Sequence, residues 1–233
     1  MSKNKTKKRK GSILILIGEL LLIAALGLGI YNVMEAHKAG QASDSIIAGL
    51  GGDDSRIPPW YSDREMPVKN IEGVDYIGML TIPELGLQLP VAMDWSYEQL
   101  MISPARFRGN YFRNDMVVCA HNFMTHFGKL ISCDLGIDVY FQSVEGYVYK
   151  YKISDRKTIQ PENLLEMIIN RGNFERYVES DLGQSDGGNE SVVNERTGET
   201  IMLNETEDWD LTLYTCNWGG RSRCAIRCTR VKE

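Results

Sequence analysis

Residues 138–153 read DVYFQSVEGYVYKYKI, and the fold is read outward from them. Val139 and Phe141, then Tyr147, Tyr149, Tyr151 and Ile153, alternate with other residues on either side of Glu145-Gly146. Period-two alternation places one set of side chains on one face of an extended chain, and aromatic and β-branched residues favour strands. Two such runs joined by a turn dipeptide predict a β-hairpin.

Short apolar runs broken by turns recur on both sides of this hairpin. YIGMLTIPELGLQLPVAM at 76–93 and MVVCA at 116–120 precede it; DLTLYTC at 210–216 and RCAIRCTRV at 223–231 follow, with NWGGRS between them as a loop. In PENLLEMIINRGNFERY at 161–177, Leu164, Leu165, Ile168 and Ile169 have helical spacing, interrupted near Gly172, and predict a helix. Residues 179–206 turn polar and glycine-containing and read as an exposed excursion. No internal repeat is present. Many short strands with few helices predict a mainly β domain over 71–233, a largely antiparallel sheet closed into a barrel or a sandwich.

The amino-terminal part is of a different kind. SILILIGELLLIAALGLGIY, from Ser12 to Tyr31, supplies the roughly 20 apolar residues that span a hydrocarbon core as a helix. Glu19 is its one acid, near the end that the basic residues mark as cytoplasmic, where it can be protonated or drawn to the interface. Lys3, Lys5, Lys7, Lys8, Arg9 and Lys10 precede the run, so residues 1–11 are expected to stay cytoplasmic, 12–34 to cross the membrane as a signal anchor, and the remainder to lie outside. A cleaved signal peptide would have an apolar region of only about 7–15 residues and a small-residue cleavage site. Residues 35–70, with Gly49-Leu50-Gly51-Gly52 and Pro58-Pro59, show little periodicity and read as a stalk. The 233 residues, 43% hydrophobic, suit one globular domain with an appendage, and a formal net charge of -5 gives no sign of a nucleic-acid partner.

Five cysteines, Cys119, Cys133, Cys216, Cys224 and Cys228, cannot all pair within one chain. Cys224 and Cys228 are roughly 13 Å apart at strand rise, too far to bridge, so mostly reduced thiols are expected. Cys216 ends an apolar strand just before a glycine-containing loop, where a thiol can emerge at a sheet edge. A lone cysteine is more commonly a small buried hydrophobe. His121 stands where MVVCA gives way to a polar stretch, the position from which a side chain faces a groove; His126 is deeper in that stretch and His37 is beside the membrane. Arg223 opens the last strand, and a fixed cation there would stabilise a thiolate or an oxyanion. Arg221, Arg227 and Arg230 compete for the same role. Alternation puts Arg223, Ala225 and Arg227 on one face and Cys224, Ile226 and Cys228 inward on the other.

TLYTC at 212–216 resembles the Thr-Leu-x-Thr-Cys signature of sortases. AHN at 120–122 resembles the end of that family's histidine strand, RCAIRC at 223–228 its arginine strand, and YIGMLTIPELGLQLPV its early strands. The similarity covers about residues 74–231, and the CAHN and HFGKL spelling resembles class D or class B-like members. The Asp-Pro-aromatic triplet of lid-bearing pilin-type members is absent from IPPWYSDRE at 57–65. The resemblance implies an eight-stranded barrel and a cysteine transpeptidase that needs no metal or other cofactor. It further implies Cys216 as nucleophile, His121 as general acid and base, Arg223 as the oxyanion and substrate-positioning group, and Thr215, Asn122 and Trp218 near the substrate groove. The implied partners are surface proteins with a sorting signal similar to Leu-Pro-x-Thr-Gly and an amine acceptor such as a peptidoglycan precursor.

Other readings compete with this one. A papain-like peptidase places its cysteine before its histidine, the reverse of the order here. A metal-binding ectodomain using Cys119, His121, Cys224 and Cys228 would depart from the usual zinc spacings. A sortase-like scaffold without activity is the third alternative.

Overall fold

The computed structural model describes residues 3–50, 64–178, 183–186 and 189–231. In the predicted hairpin, strands β6 (Asp138–Ser143) and β7 (Val148–Ile159) pair antiparallel from Asp138↔Lys152 to Gln142↔Val148. Val139, Phe141, Tyr149, Tyr151 and Ile153 are all buried in one core, as the alternation required. The turn closes through Gly146 at φ 88, a left-handed conformation that glycine adopts without a Cβ penalty.

Ten further strands surround this hairpin among the described residues, and one short helix, α2 (Tyr97–Leu100), precedes it. In chain order they are β1 (Lys69–Ile71), β2 (Val74–Ile82), β3 (Leu87–Ala92), β4 (Ala105–Arg108) and β5 (Met116–Cys119), then, after the hairpin, β8 (Gly183–Asp186), β9 (Asn189–Val193), β10 (Thr200–Met202), β11 (Leu211–Cys216) and β12 (Arg223–Arg230). The principal sheet runs β1-β2-β3-β4-β5-β11-β12-β7-β6, and β6 pairs back onto β2. That pairing closes eight strands, β2 to β6, into a barrel, with β1 as an appended edge. Gly78 sits at the closing seam, where a Cβ would overlap the carbonyl oxygen of Gln142, so glycine permits the close approach. Two pairs, β3–β4 and β5–β11, are parallel; the others are antiparallel. The barrel interior is filled by residues such as Leu80, Val118, Leu213 and Ile226.

The segment between β7 and β11 differs from its sequence reading in two places. The single expected helix is two short ones, α3 (Leu164–Ile168) and α4 (Phe174–Val178). Between them Asn170 and Asn173 accept each other's backbone N–H at 2.9 and 2.8 Å, a local turn that competes with helix continuation. The expected excursion is partly structural. β8, β9 and β10 form a small antiparallel sheet, and Val192 and Ile201 join Leu165, Ile168, Phe174 and Trp209 in a second core over Val117 and Ala225 on the outside of the barrel. Its polar composition hid a sheet in which Val192 and Ile201 are the buried side chains among the described residues.

The amino-terminal helix α1 runs from Lys3 to Leu50, about 72 Å at helical rise, and includes a stretch, Ile15–Gln41, long and apolar enough to cross a membrane. It continues through residues 35–50, where the sequence reads as irregular. Ile46 and Leu50 are buried in a cluster with Tyr76, Ala92 and Leu100, and the Thr125 hydroxyl donates to the Ala36 carbonyl at 2.9 Å. Tertiary burial, invisible in the local pattern, stabilises helix there. The Pro58-Pro59 stretch and the 57–63 part of IPPWYSDRE lie outside the described residues.

Candidate active site

β5, β11 and β12 are neighbours; β11 ends at Cys216, β12 begins at Arg223, and His121 follows two residues after β5 at the same end of the barrel. β11 pairs with β12 so that Cys216 lies directly opposite Arg223. Directly opposed residues in an antiparallel pair share a face with Cβ atoms about 4.5–5.5 Å apart. β5 runs parallel to β11 with Cys119 opposite Tyr214, and the Ala120 amide extends the ladder by donating to the Tyr214 carbonyl at 3.2 Å. Continued by two residues, that register sets His121 level with Cys216. The interior residues Val118, Leu213 and Ile226 alternate with Cys119, Tyr214 and Ala225, so His121, Cys216 and Arg223 all belong to the outer face.

The loop between β11 and β12 fixes this arrangement. The Asn217 amide donates to the Ser222 carbonyl at 3.0 Å, its side-chain amide donates to the Ser222 hydroxyl at 2.8 Å, and the Gly220 amide donates to the Asn217 carbonyl at 2.7 Å. Gly220 has φ 69, which the tight return requires. Asn217 thus ties together the residues next to Cys216 and Arg223. Sequence reasoning missed it, although a polar residue directly after an apolar strand and before two glycines is a turn signal. It also missed Tyr214, two positions before Cys216 and hence on its face; the Tyr214 ring meets Phe107 edge-on at 5.3 Å, and Phe107 meets Trp95 at 5.7 Å.

All five cysteines are free, and Cys216 alone among them is not buried. Burial pushes the Cys119 thiol up to about 12 and also raises Cys133, Cys224 and Cys228, because a thiolate is poorly solvated in the core. Cys224 and Cys228 point into the barrel, whereas Cys119 and His121 are on its outer face, so the four cannot share a metal ion. Among the described residues no three His, Cys, Asp or Glu side chains gather as a metal site.

The two histidines of the loop after β5 separate clearly. His121 is half-buried, its ring 5.0 Å from that of Phe123, and desolvation lowers its pKa from 6.5, leaving a neutral imidazole at pH 7. His126 is 0% exposed; its ring nitrogens face the backbone of Ala39 and Ile102 without well-formed hydrogen bonds, and its pKa falls to about 4 by desolvation first and repulsion from His121 second.

The arginines of β12 separate as well. Arg227 is 2% exposed and donates to Thr212 Oγ1 at 2.7 Å, to Glu207 at 3.1 Å and to the carbonyls of Glu166 and Met167, with its guanidinium 4.8 Å from the Trp209 ring. Arg230 donates to the Asn114 side chain at 3.0 Å and lies over the Tyr149 ring, at the opposite end of the strand. Arg223 is half-exposed and, among the described residues, its side chain donates only to the nearby carbonyls of Gly220 and Ser222, at 3.2 and 3.4 Å. Of the groove residues, Asn122 is half-exposed beside His121 and Trp218 is 65% exposed on the β11–β12 loop. Thr215 is 1% exposed, opposite Cys224 on the inner face, and does not meet the groove.

The family model described as a sortase domain matches residues 80–231, well over half of the chain. The chain belongs to the sortase family. The eight-stranded closure, with a cysteine and a histidine ending adjacent parallel strands, is this sortase's version of the fold. Similar solved structures include sortase C from Clostridium perfringens SM101, at 18% identity and TM-score 0.44 over 68% of this chain and 71% of that one. Sortase C1 from Streptococcus suis is similar at 17% identity and TM-score 0.43, over 68% and 74% of the two chains. Sortase C from Streptococcus pneumoniae is similar at 16% identity and TM-score 0.47, over 86% and 90%. No curated protein sequence matches the chain.

Proposed function

We propose that this chain is a membrane-anchored cysteine transpeptidase that cleaves a carboxy-terminal sorting signal similar to Leu-Pro-x-Thr-Gly and transfers the protein to an amine acceptor of the cell wall. The observation that carries this reading is the convergence of Cys216, His121 and Arg223 on one outer face, at one end of three adjacent strands. Cys216 Sγ attacks the carbonyl carbon of the Thr-Gly bond and its proton passes to His121. His121 then protonates the departing glycine amine, leaving the substrate protein as a thioester. An incoming amine gives a proton to His121 and attacks the thioester, which restores the thiol and forms a new amide.

Arg223 stays charged throughout and stabilises the oxyanion of both tetrahedral intermediates while orienting the signal backbone. Asn122 and Trp218 border the groove. The Ile15–Gln41 stretch anchors the chain, with the basic amino terminus cytoplasmic and the barrel outside.

The test uses the full chain in neutral detergent micelles, with a panel of sorting-signal peptides and amine acceptors followed by mass spectrometry. Cleavage between Thr and Gly with transfer to the amine, lost in Cys216→Ala, supports the reading. A folded protein inert across the panel would point to the scaffold alternative.

A further inference from the structure

A cleft of about 870 Å³ opens at the far end of β5 from His121, beside the loop from Gly109 to Asp115. Asp115 and His121 are six residues apart, roughly 20 Å at strand rise, and Phe107, on the near wall of the cleft, meets the Tyr214 ring. Five arginines line it, Arg64, Arg106, Arg108, Arg113 and Arg176, and no lysine does, although the 26 basic residues of the chain divide almost evenly between the two types. This concentration occurs in a chain whose formal net charge is -5.

Three of these arginines are held by carboxylates. Arg176 pairs with the buried Asp115 at 2.9 Å, Arg64 with Glu145 at 2.5 Å, and Arg106 with the largely exposed Asp94 at 3.2 Å. Water screens the last pair strongly, and it contributes little neutralisation inside the cleft. Arg176 uses one donor in its pair, out of the five that a guanidinium presents in a planar fork. Arg108 is exposed and has no hydrogen-bond or ion-pair partner among the described residues. Met66, Met93, Phe107 and Tyr177 form an apolar wall beside these cations.

We propose that this cleft binds a phosphate ester, with Arg108 and Arg176 as its principal donors. A tetrahedral phosphate accepts from guanidinium forks on several sides at once, whereas a planar carboxylate suits a single fork. The apolar wall receives the organic part of the ligand. A free phosphate compound and the headgroup of an acidic phospholipid share this chemistry.

The experiment is calorimetry of the full chain in dodecyl maltoside micelles. One arm titrates inorganic pyrophosphate and the other titrates the short-chain lipid dihexanoyl phosphatidic acid. Saturable 1:1 binding in at least one arm is expected, with a dissociation constant below about 1 mM, and the responding arm identifies the source. Arg108→Gln should weaken it about tenfold, and Arg108→Lys should recover only part of the loss, since the charge returns without the fork. Arg171→Gln, an exposed arginine outside the cleft paired with Asp208, should leave binding unchanged. The proposal is overturned by an absence of saturable heat in both arms up to about 10 mM, or by Arg108→Gln and Arg171→Gln weakening binding equally, which would indicate diffuse attraction. Thermal melts of each variant without ligand separate a loss of binding from a loss of folding.

Discussion

Arg223 and Arg227 are four residues apart on one strand and on one face, yet their surroundings are opposite. Arg227 is sealed under Trp209 with an acid, a hydroxyl and two carbonyls on its donors; Arg223 stands at the strand end with two backbone carbonyls and solvent. Arg227, with four hydrogen bonds, holds the segment between β7 and β11 against the barrel. Among the described residues Arg223 commits only one guanidinium nitrogen, to the Gly220 and Ser222 carbonyls.

The largest effect that would sharpen this contrast is at Cys216, directly across from Arg223. Cys216→Ala should reduce peptide cleavage by roughly 10⁴-fold or more, whereas Cys119→Ala, a buried thiol on the same face, should leave it within a few fold in a peptide cleavage assay. Next in size, Arg223→Ala should lower kcat/KM by about 10²–10³-fold with an unchanged melting temperature. Arg227→Ala should do the reverse, destabilising the fold by about 3 kcal/mol or more in urea denaturation, because the Glu166 and Met167 carbonyls and the Thr212 hydroxyl lose their donor and Glu207 keeps only Lys157 among the described residues. A large stability loss in Arg223→Ala would break the comparison.

The two histidines carry the same contrast into pH. The unfolded chain protonates His126 below about 6.5 and the folded chain only near 4. His126 therefore lowers stability as pH falls through that window, by about 1.4 kcal/mol per pH unit and roughly 3 kcal/mol in all. Denaturation curves at pH 7.5 and 4.5 should show this loss, and His126→Leu should diminish it. For His121, whose pKa is also lowered, the acid limb of the kcat/KM profile should fall below 6.5. The smallest effect belongs to Thr212→Val, which removes one acceptor from Arg227 and should cost about 1–3 kcal/mol without changing kcat.

The barrel hairpin, the terminal strands and the apolar helix were legible in the sequence because each rests on a local period: two for Tyr149-Tyr151-Ile153, and an unbroken apolar run for residues 12–31. The placement of Cys216 at the end of one apolar strand and of His121 just beyond another was legible too. The split of α3 from α4 at the Asn170–Asn173 turn was not, nor was the small sheet that buries Val192 and Ile201, nor the helical state of residues 35–50. Each depends on partners distant in the chain, and a local pattern carries no record of them.

By itself the sequence determined which residues could alternate, which run could cross a membrane and which side chains could carry acyl-transfer chemistry, since these follow from residue type and spacing. Only the tertiary structure decided that Arg223 rather than Arg227 has donors to spare, that His126 is sealed while His121 stays partly exposed, and that Thr215 turns inward. The availability of a side chain is set by what packs over it, and strand register and layer packing come from contacts between elements far apart in sequence.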